Sequence, residues 1–154
     1  MVVLLDVRLK GGVVLILGVV YRSPSSLADN NQLMLELLKS TSDCKNSHIL
    51  LMGDLNLPRI DWRTCSTTLS EESLEQRQLD ATSYLHQHVR KPTRARGTDK
   101  PSLLDLVFSN EPDMVPEIRH MSPLGSSDHQ VLTFEFLCYV DYTKPKNIFL
   151  LQQS

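Results

Sequence analysis

The chain has 154 residues, of which 41% are hydrophobic and 22% charged, and its formal net charge is -2. These values predict one folded domain and argue against a disordered chain. They also argue against a protein that is basic throughout, but they leave room for a local basic patch that binds nucleic acid.

Two apolar segments at the start of the chain predict strands. Residues 2–8 and 13–21 are rich in Val, Ile and Leu, as buried strands are, and a Lys-Gly-Gly sequence between them favours a turn. Asp6 and Arg8 interrupt the apolar run before it reaches the ~20 residues of a membrane span. We therefore expect neither a membrane segment nor a signal peptide.

Two helices are predicted further along the chain. Residues 29–41 have a helical repeat of apolar side chains, with Asp29 or Asn30 as the expected cap, and residues 71–89 have a similar repeat. The expected buried side chains are Leu33, Met34, Leu37 and Leu38 in the first helix and Leu74, Ala81, Leu85 and Val89 in the second.

Four short apolar or alternating segments predict further strands, at 47–51, 103–108, 115–121 and 130–137. After Cys138 this pattern is lost. The order of the elements predicts a mixed α/β fold in residues 1–138, followed by a tail or linker at 139–154. The three cysteines are widely spaced and odd in number, which indicates free thiols and an intracellular location, nuclear or cytoplasmic.

The strand at 47–51 is followed by Gly-Asp-Leu-Asn at 53–56. Residues two apart point to the same side of an extended chain, so Asp54 and Asn56 are expected to face one pocket. A carboxylate there can hold a metal or accept a proton from water, and a carboxamide can donate to a phosphate oxygen. The alternative interpretation is a simple turn, since Gly, Asp and Asn all favour turns.

Two further motifs contain ionisable side chains. Asp105 lies within Leu-Leu-Asp-Leu-Val, where an unpaired carboxylate is costly, so it predicts either a structural ion pair or a functional partner. His129, in Ser-Ser-Asp-His at 126–129, needs a carboxylate that fixes its tautomer, and Asp105 is the natural candidate. An ordinary loop with one histidine is the alternative. Together the three motifs supply what phosphodiester cleavage requires: a base, an oriented histidine and a metal carboxylate.

The loop at 90–100 carries five positive charges, on Arg90, Lys91, Arg94, Arg96 and Lys100. Such a cluster predicts contact with a DNA backbone, and a solvated surface loop is the alternative.

In this order the motifs resemble the endonuclease/exonuclease/phosphatase superfamily, and most closely the apurinic-type endonuclease domains of non-LTR retrotransposons. The resemblance runs from about residue 2 to residue 136. It rests on Val-Val-Tyr-Arg-Ser-Pro around Tyr21, Gly-Asp-Leu-Asn at 53–56, Leu-Leu-Asp-Leu-Val-Phe-Ser-Asn at 103–110 and Ser-Ser-Asp-His at 126–129. The phrases Asp-Leu-Asn-Leu-Pro-Arg-Ile-Asp-Trp at 54–62 and Lys-Pro-Thr-Arg at 91–94 point to the retrotransposon branch. The implied fold is a partial two-sheet α/β sandwich, with mixed sheets flanked by helices.

The resemblance also implies a role for each motif. Asp54 would position or deprotonate the attacking water, and Asp105 would orient His129, which would stabilise the pentavalent phosphate or manage a proton. Asn56 would hold Asp54 and the phosphate, which Tyr21 would also contact. The implied ligands of Mg²⁺ (or Mn²⁺) are Asp128 and Asp54, and the implied substrate contacts are Thr93, Arg94, Arg96 and Ser127.

Domains of this family begin with strands that carry an asparagine and then a glutamate, the principal metal ligand, and no such motif precedes Tyr21. We therefore expect residues 1–138 to be the C-terminal portion of the domain. We also expect weak Mg²⁺ binding and weak or absent cleavage, which leaves open whether the chain is an enzyme. The implied partners are DNA and, in a full-length parent protein, a reverse transcriptase. The alternatives are a non-enzymatic remnant or DNA-binding fragment, and a phosphatase of inositol phosphates or phospholipids.

Overall fold

The computed structural model describes residues 1–44, 47–138 and 147–151 of the chain. Within these ranges eight strands form two sheets, and two α-helices accompany them. The first sheet has the strand order β1-β2-β3-β5-β4 and contains β1 (Val2–Arg8), β2 (Val14–Tyr21), β3 (Ser47–Asp54), β4 (His86–Gln87) and β5 (Asp105–Ser109). The second has the order β6-β7-β8 and contains β6 (Ile118–Met121), β7 (Val131–Phe136) and β8 (Asn147–Leu151). The helices are α1 (Ala28–Thr41) and α2 (Leu74–Ala81).

The first sheet is mixed: β2 and β3 are parallel, joined by α1, and its other pairs are antiparallel. Because successive side chains of a strand point to opposite faces, each inner strand contributes to two cores. One face packs against α1 and α2, for example through Leu51 and Phe108, and the other packs against the second sheet, for example through Leu50 and Val107. The predicted α/β fold with two sheets and flanking helices is confirmed.

Helix α1 presents a different face from the one expected. Its buried side chains are Met34, Leu35, Leu38 and Thr41, whereas Leu33 and Leu37 are 58% and 41% exposed. Apolar residues at 33–35 and 37–38 offer two overlapping faces, and packing against the sheet selects one of them. The predicted cap is also wrong, because Leu27 occupies the capping position and makes no side-chain cap hydrogen bond.

Helix α2 is much shorter than the predicted helix at 71–89. It begins after Ser73, whose Oγ accepts a hydrogen bond from Gln76 N at 3.1 Å, and ends at Ala81. The chain then forms β4, which pairs with β5. This non-local pairing has no local signal in the sequence. It outweighs the helical repeat and buries Val89 against the second sheet instead.

Strand β1 is an edge strand rather than a buried one. Val3, Leu5 and Val7 are exposed on the face that it shares with the exposed Val19 of β2, while Val2 and Leu4 pack on the helix side. No helix in the described ranges is long and apolar enough to cross a bilayer.

The predicted tail contains a strand. Within 139–154, residues Asn147–Leu151 pair with β7 as β8, while 139–146 and 152–154 lie outside the described residues. The other strands begin or end within a few residues of their predicted limits, and Val115, expected at the start of a strand, is instead buried after a short 3-10 turn at Pro112–Met114.

Candidate active site

Three of the predicted site residues lie side by side across the first sheet. In the strand register, Tyr21 of β2 pairs with Asp54 of β3, and Asp54 pairs with Asp105 of β5. By the alternation of side chains along a strand, all three lie on the face of the first sheet that packs against the second sheet. His129 lies two residues before β7 of that second sheet. The register therefore places two carboxylates and a phenol at one end of the interface between the sheets.

Gly53 lets β3 approach β2 at this point. Its φ is 146°, and a Cβ atom added there would lie 1.8 Å from the carbonyl oxygen of Val20. No side chain fits against that backbone atom, so the glycine before Asp54 is a steric requirement.

Asp54 is held by the turn that follows it. Asn56 has a left-handed backbone with φ 51°, which asparagine tolerates better than most residues. Its N–H donates to Asp54 Oδ1 at 2.9 Å, and its Nδ2 donates at 3.5 Å to Oδ2. Leu55 between them is buried. The predicted pairing of Asp54 with Asn56 is therefore present, carried mainly by the backbone N–H.

Asp105 and His129 form a hydrogen-bonded pair. His129 Nδ1 lies 2.8 Å from Asp105 Oδ2, and the side chains are only 16% and 6% exposed. A carboxylate accepts only, so Nδ1 carries the hydrogen and Nε2 is left for another partner. The predicted pairing of Asp105 with His129 is therefore present.

Thr93 lies behind the site rather than in it. Its side chain is fully buried, and Oγ1 accepts hydrogen bonds from Leu104 N at 3.2 Å and Asp105 N at 3.0 Å. The predicted contact of Thr93 with substrate is not compatible with this placement, because both observed partners are backbone groups of the β5 segment. Thr93 supports Asp105.

The remaining predicted residues meet in one cavity of about 870 Å³. It is lined by Tyr21, Pro24, Asp54, Asn56, Arg94, Arg96, Leu124, Gly125, Ser126, Ser127, Asp128 and His129. Every predicted site residue except Asp105 and Thr93 is in this set. The cavity combines a carboxylate end near Asp54 with a basic rim at Arg94 and Arg96.

Arg94 pairs with Asp128 across the cavity. Arg94 Nε donates to Asp128 Oδ2 at 2.9 Å, and this hydrogen bond lowers the pKa of Asp128. Asp128 Oδ1 is 3.9 Å from Nε2 of His129. The segment that carries Arg94 is anchored, since Ala95 N donates to Asp128 O and Gln130 N donates to Thr93 O. Part of the basic loop is therefore fixed to the site.

Asp54 has the most perturbed acidity in the site. Burial, and then the negative charge of Asp105, raise the pKa of Asp54 to about 6, against the opposing effects of His129 and the Asn56 N–H. Two buried carboxylates in register with each other carry negative charge that a cation would offset.

A metal ion fits these donors. Asp54, Asp105 and His129 each offer one ligand atom, and these atoms lie within 4.8 Å of one another. Carboxylate oxygens suit Mg²⁺ and Mn²⁺, and an imidazole is more typical of transition metals. The cluster contains Asp105 where the sequence analysis chose Asp128, whose Oδ2 is bound by Arg94.

Arg22 was missed by the sequence analysis. It lies at the end of β2 beside Tyr21, and its Nη1 donates to Asn56 O at 3.1 Å. Burial lowers the pKa of Arg22, and the charges of Glu75 and Asp54 oppose that effect. The available signal was its position within the Tyr-Arg-Ser-Pro motif, directly after a predicted site residue.

Comparisons with known proteins agree with this architecture. A profile of the family described as endonuclease-reverse transcriptase matches residues 15–133, which is most of the chain. A comparison with curated proteins found no match. The chain is similar in structure to the endonuclease domain of TRAS1, a telomere-specific non-LTR retrotransposon, with a TM-score of 0.63 and 18% identity. That likeness covers 90% of this chain and 64% of the TRAS1 domain, so the chain spans less than two thirds of that domain's length. The match over residues 15–133 makes this chain a member of the endonuclease-reverse transcriptase family.

Proposed function

We propose that the chain carries a divalent-metal-dependent phosphodiesterase site that cuts DNA, as part of a retrotransposon endonuclease, and that its activity is weak. The observation that carries this proposal is the placement of Asp54, Asp105 and His129 within reach of one ion, at a cavity with an arginine rim. A buried acidic centre beside positive side chains suits the hydrolysis of a phosphate diester, which needs a base for the attacking water and positive charge for the phosphate oxygens.

A divalent cation, Mg²⁺ or Mn²⁺, held by Asp54 and Asp105 would neutralise charge on the phosphate. Among the described residues, the only carboxylates that the cluster offers the ion are those of Asp54 and Asp105. One oxygen of Asp105 is already hydrogen-bonded to His129. Few free oxygens remain for the hard ion, which supports weak Mg²⁺ binding and slow cleavage. Asp128 is a further ligand in this proposal, once Arg94 turns to the substrate.

Asp54 is suited to accept a proton from the attacking water. With a pKa of about 6 it is mostly ionised at neutral pH and still basic enough to act. The N–H of Asn56 fixes Oδ1 of Asp54, and Oδ2, whose hydrogen bond from Asn56 Nδ2 is long at 3.5 Å, would be the oxygen that meets the water. The carboxamide of Asn56, which lines the cavity, would donate to a phosphate oxygen.

His129 would stabilise the charge that develops on the pentavalent phosphate. Asp105 holds Nδ1–H, so Nε2 is free to donate to a phosphate oxygen when the ring is protonated. Tyr21 and Ser127 line the same cavity and would contact the scissile phosphate. Arg94 and Arg96 would contact neighbouring phosphates of the strand.

DNA is the substrate that the basic rim favours, and a reverse transcriptase in the same parent protein is the partner that the family description suggests. A DNA substrate and the free thiols of Cys44, Cys65 and Cys138 would support an intracellular location, in the nucleus or the cytoplasm.

Nicking of supercoiled plasmid under single-turnover conditions, with protein in excess and Mg²⁺ or Mn²⁺ varied, tests the proposal. We expect slow nicking that Asp54→Asn abolishes and that the control Asp61→Asn, an exposed carboxylate outside the site, leaves unchanged. Plasmid binding without any metal-dependent nicking would support a DNA-binding remnant instead. Faster hydrolysis of an inositol phosphate than of DNA would contradict DNA as the substrate and support a phosphatase instead.

A further inference from the structure

We propose that Arg22 is a positioning residue that holds Asn56, and through it the carboxylate of Asp54, in the geometry of the site. This inference rests on the function proposed above. The backbone N–H of Arg22 donates to Asp54 O at 2.9 Å, and its Nη1 donates to Asn56 O at 3.1 Å. Arg22 therefore holds the end of β3 and the turn after it through two hydrogen bonds, to the carbonyl oxygens of Asp54 and Asn56.

The guanidinium is itself held from the side of α1. Arg22 Nε donates to Asn31 Oδ1 at 3.0 Å, and Asn31 Nδ2 donates to Ser26 O at 3.3 Å. Nε and Nη1 thus bind two different partners at the same time. A planar guanidinium supplies two donors in fixed directions, and the ammonium group of lysine does not reproduce that arrangement.

Asn56 needs such a restraint because its backbone is left-handed. In that conformation its N–H points back to Asp54 Oδ1. Without the bond from Arg22 to Asn56 O, the turn can relax toward a commoner conformation, and the N–H then leaves Asp54. Arg22 does not line the cavity of about 870 Å³. Its effect on cleavage is therefore indirect, through the orientation of Asp54 and Asn56.

The test compares Arg22→Lys and Arg22→Met with Arg119→Lys. Arg119 is a suitable control because it lies on β6 of the second sheet, where its Nε donates to Glu117 Oε2 at 3.3 Å. We expect Arg22→Lys to lower kcat for plasmid nicking about 10-fold while KM for DNA stays within about 2-fold, because the contacts of Arg94 and Arg96 with the DNA backbone are intact. Arg22→Met should lose at least as much.

A second readout does not need activity: amide hydrogen exchange at Asn56. We expect exchange at Asn56 to become about 10-fold faster in Arg22→Lys, while Leu51 within β3 keeps its protection. Unchanged exchange at Asn56 would overturn the positioning role, and so would a uniform loss of protection across β3, which indicates only a structural role. Faster exchange at Asn56 in a protein whose wild type never nicks DNA would leave the positioning role standing and remove the proposed function.

Discussion

Asp54 of β3 and Asp105 of β5 are direct partners across an antiparallel strand pair, both nearly buried. Cross-strand neighbours of like charge destabilise a sheet, so this pairing costs folding free energy. The raised pKa of Asp54 reflects that cost, together with the larger effect of burial. Such a cost fits a site whose charge is used for binding and chemistry.

The first prediction concerns stability and pH. A folded-state pKa of about 6 for Asp54, above the ordinary 3.8, means that the folded chain holds the proton more tightly than the unfolded chain. The destabilisation that ionised Asp54 causes is therefore almost complete at pH 7.5 and disappears as the pH falls through 6 toward 4, and its size is at most roughly 3 kcal/mol. Without divalent ions, Asp54→Asn should unfold at a higher temperature than wild type at pH 7.5.

The difference between Asp54→Asn and wild type should shrink at pH 4, as thermal unfolding in a chelator will measure. The control Asp61→Asn removes a carboxylate whose pKa is lowered by hydrogen bonds from Arg63, so it should not stabilise the chain at pH 7.5. A variant at Asp54 that is less stable than wild type at pH 7.5 would contradict the assigned cost.

The second prediction concerns the Asp105–His129 pair. Asp105→Asn keeps the size of the side chain but no longer favours Nδ1–H of His129, so nicking should slow by about 100-fold or more. Nitrogen chemical shifts of the imidazole should report the Nδ1–H tautomer in wild type and its loss in the variant. The control is His120→Ala, which removes a half-buried imidazole with its own Nδ1 hydrogen bond, to Gln130. Equal rates for Asp105→Asn and wild type would remove the orienting role.

The third prediction compares two glycines with positive φ. In Gly53→Ala the new Cβ meets the Val20 carbonyl oxygen at 1.8 Å, a backbone clash that should cost about 4 kcal/mol or more and leave the chain largely unfolded. In Gly97→Ala nothing lies within 4 Å of the new Cβ, so only the backbone strain of about 1 kcal/mol remains. Urea unfolding of both variants measures the difference. Similar losses in the two variants would contradict the close approach of β3 to β2 at Gly53.

The fourth prediction concerns the basic rim. Arg94→Ala should weaken DNA binding and lower the slope of log affinity against log salt by about 1, as expected for one lost phosphate contact. The control Arg63→Ala removes an exposed arginine that lies outside the cavity. Fluorescence anisotropy with a short duplex at several salt concentrations measures both. An unchanged slope for Arg94→Ala would mean that Arg94 stays with Asp128 when DNA binds.

The sequence predicted which polar side chains lie close together better than it predicted the helices. Asp54, Asp105 and His129 were identified because short motifs at strand ends combine polar groups in a pattern that a known family shares. Their meeting depends on strand register, and the register follows from buried apolar strands that are easy to recognise, such as β3 and β5.

Features that depend on distant contacts were not predictable in the same way. The sequence of α1 offers two overlapping apolar faces. Packing against the first sheet decides that Leu35 is buried and Leu33 is not. The hydrogen bonds of Thr93 to the β5 segment and of Arg22 to Asn56 join residues far apart in the chain. No local sequence pattern predicts such bonds. Thr93 was therefore expected to contact substrate although it is buried behind Asp105, and Arg22 was missed.

Titration with Mn²⁺, followed by paramagnetic broadening of backbone amide signals, tests the central claim most directly. At substoichiometric Mn²⁺ the amides of Asp54, Asp105 and His129 should broaden first, and Asp54→Asn should remove the effect while Asp61→Asn does not. Broadening centred on other acidic groups, for example Glu71 and Glu72, or broadening that persists in Asp54→Asn, would contradict a metal centre at this cluster.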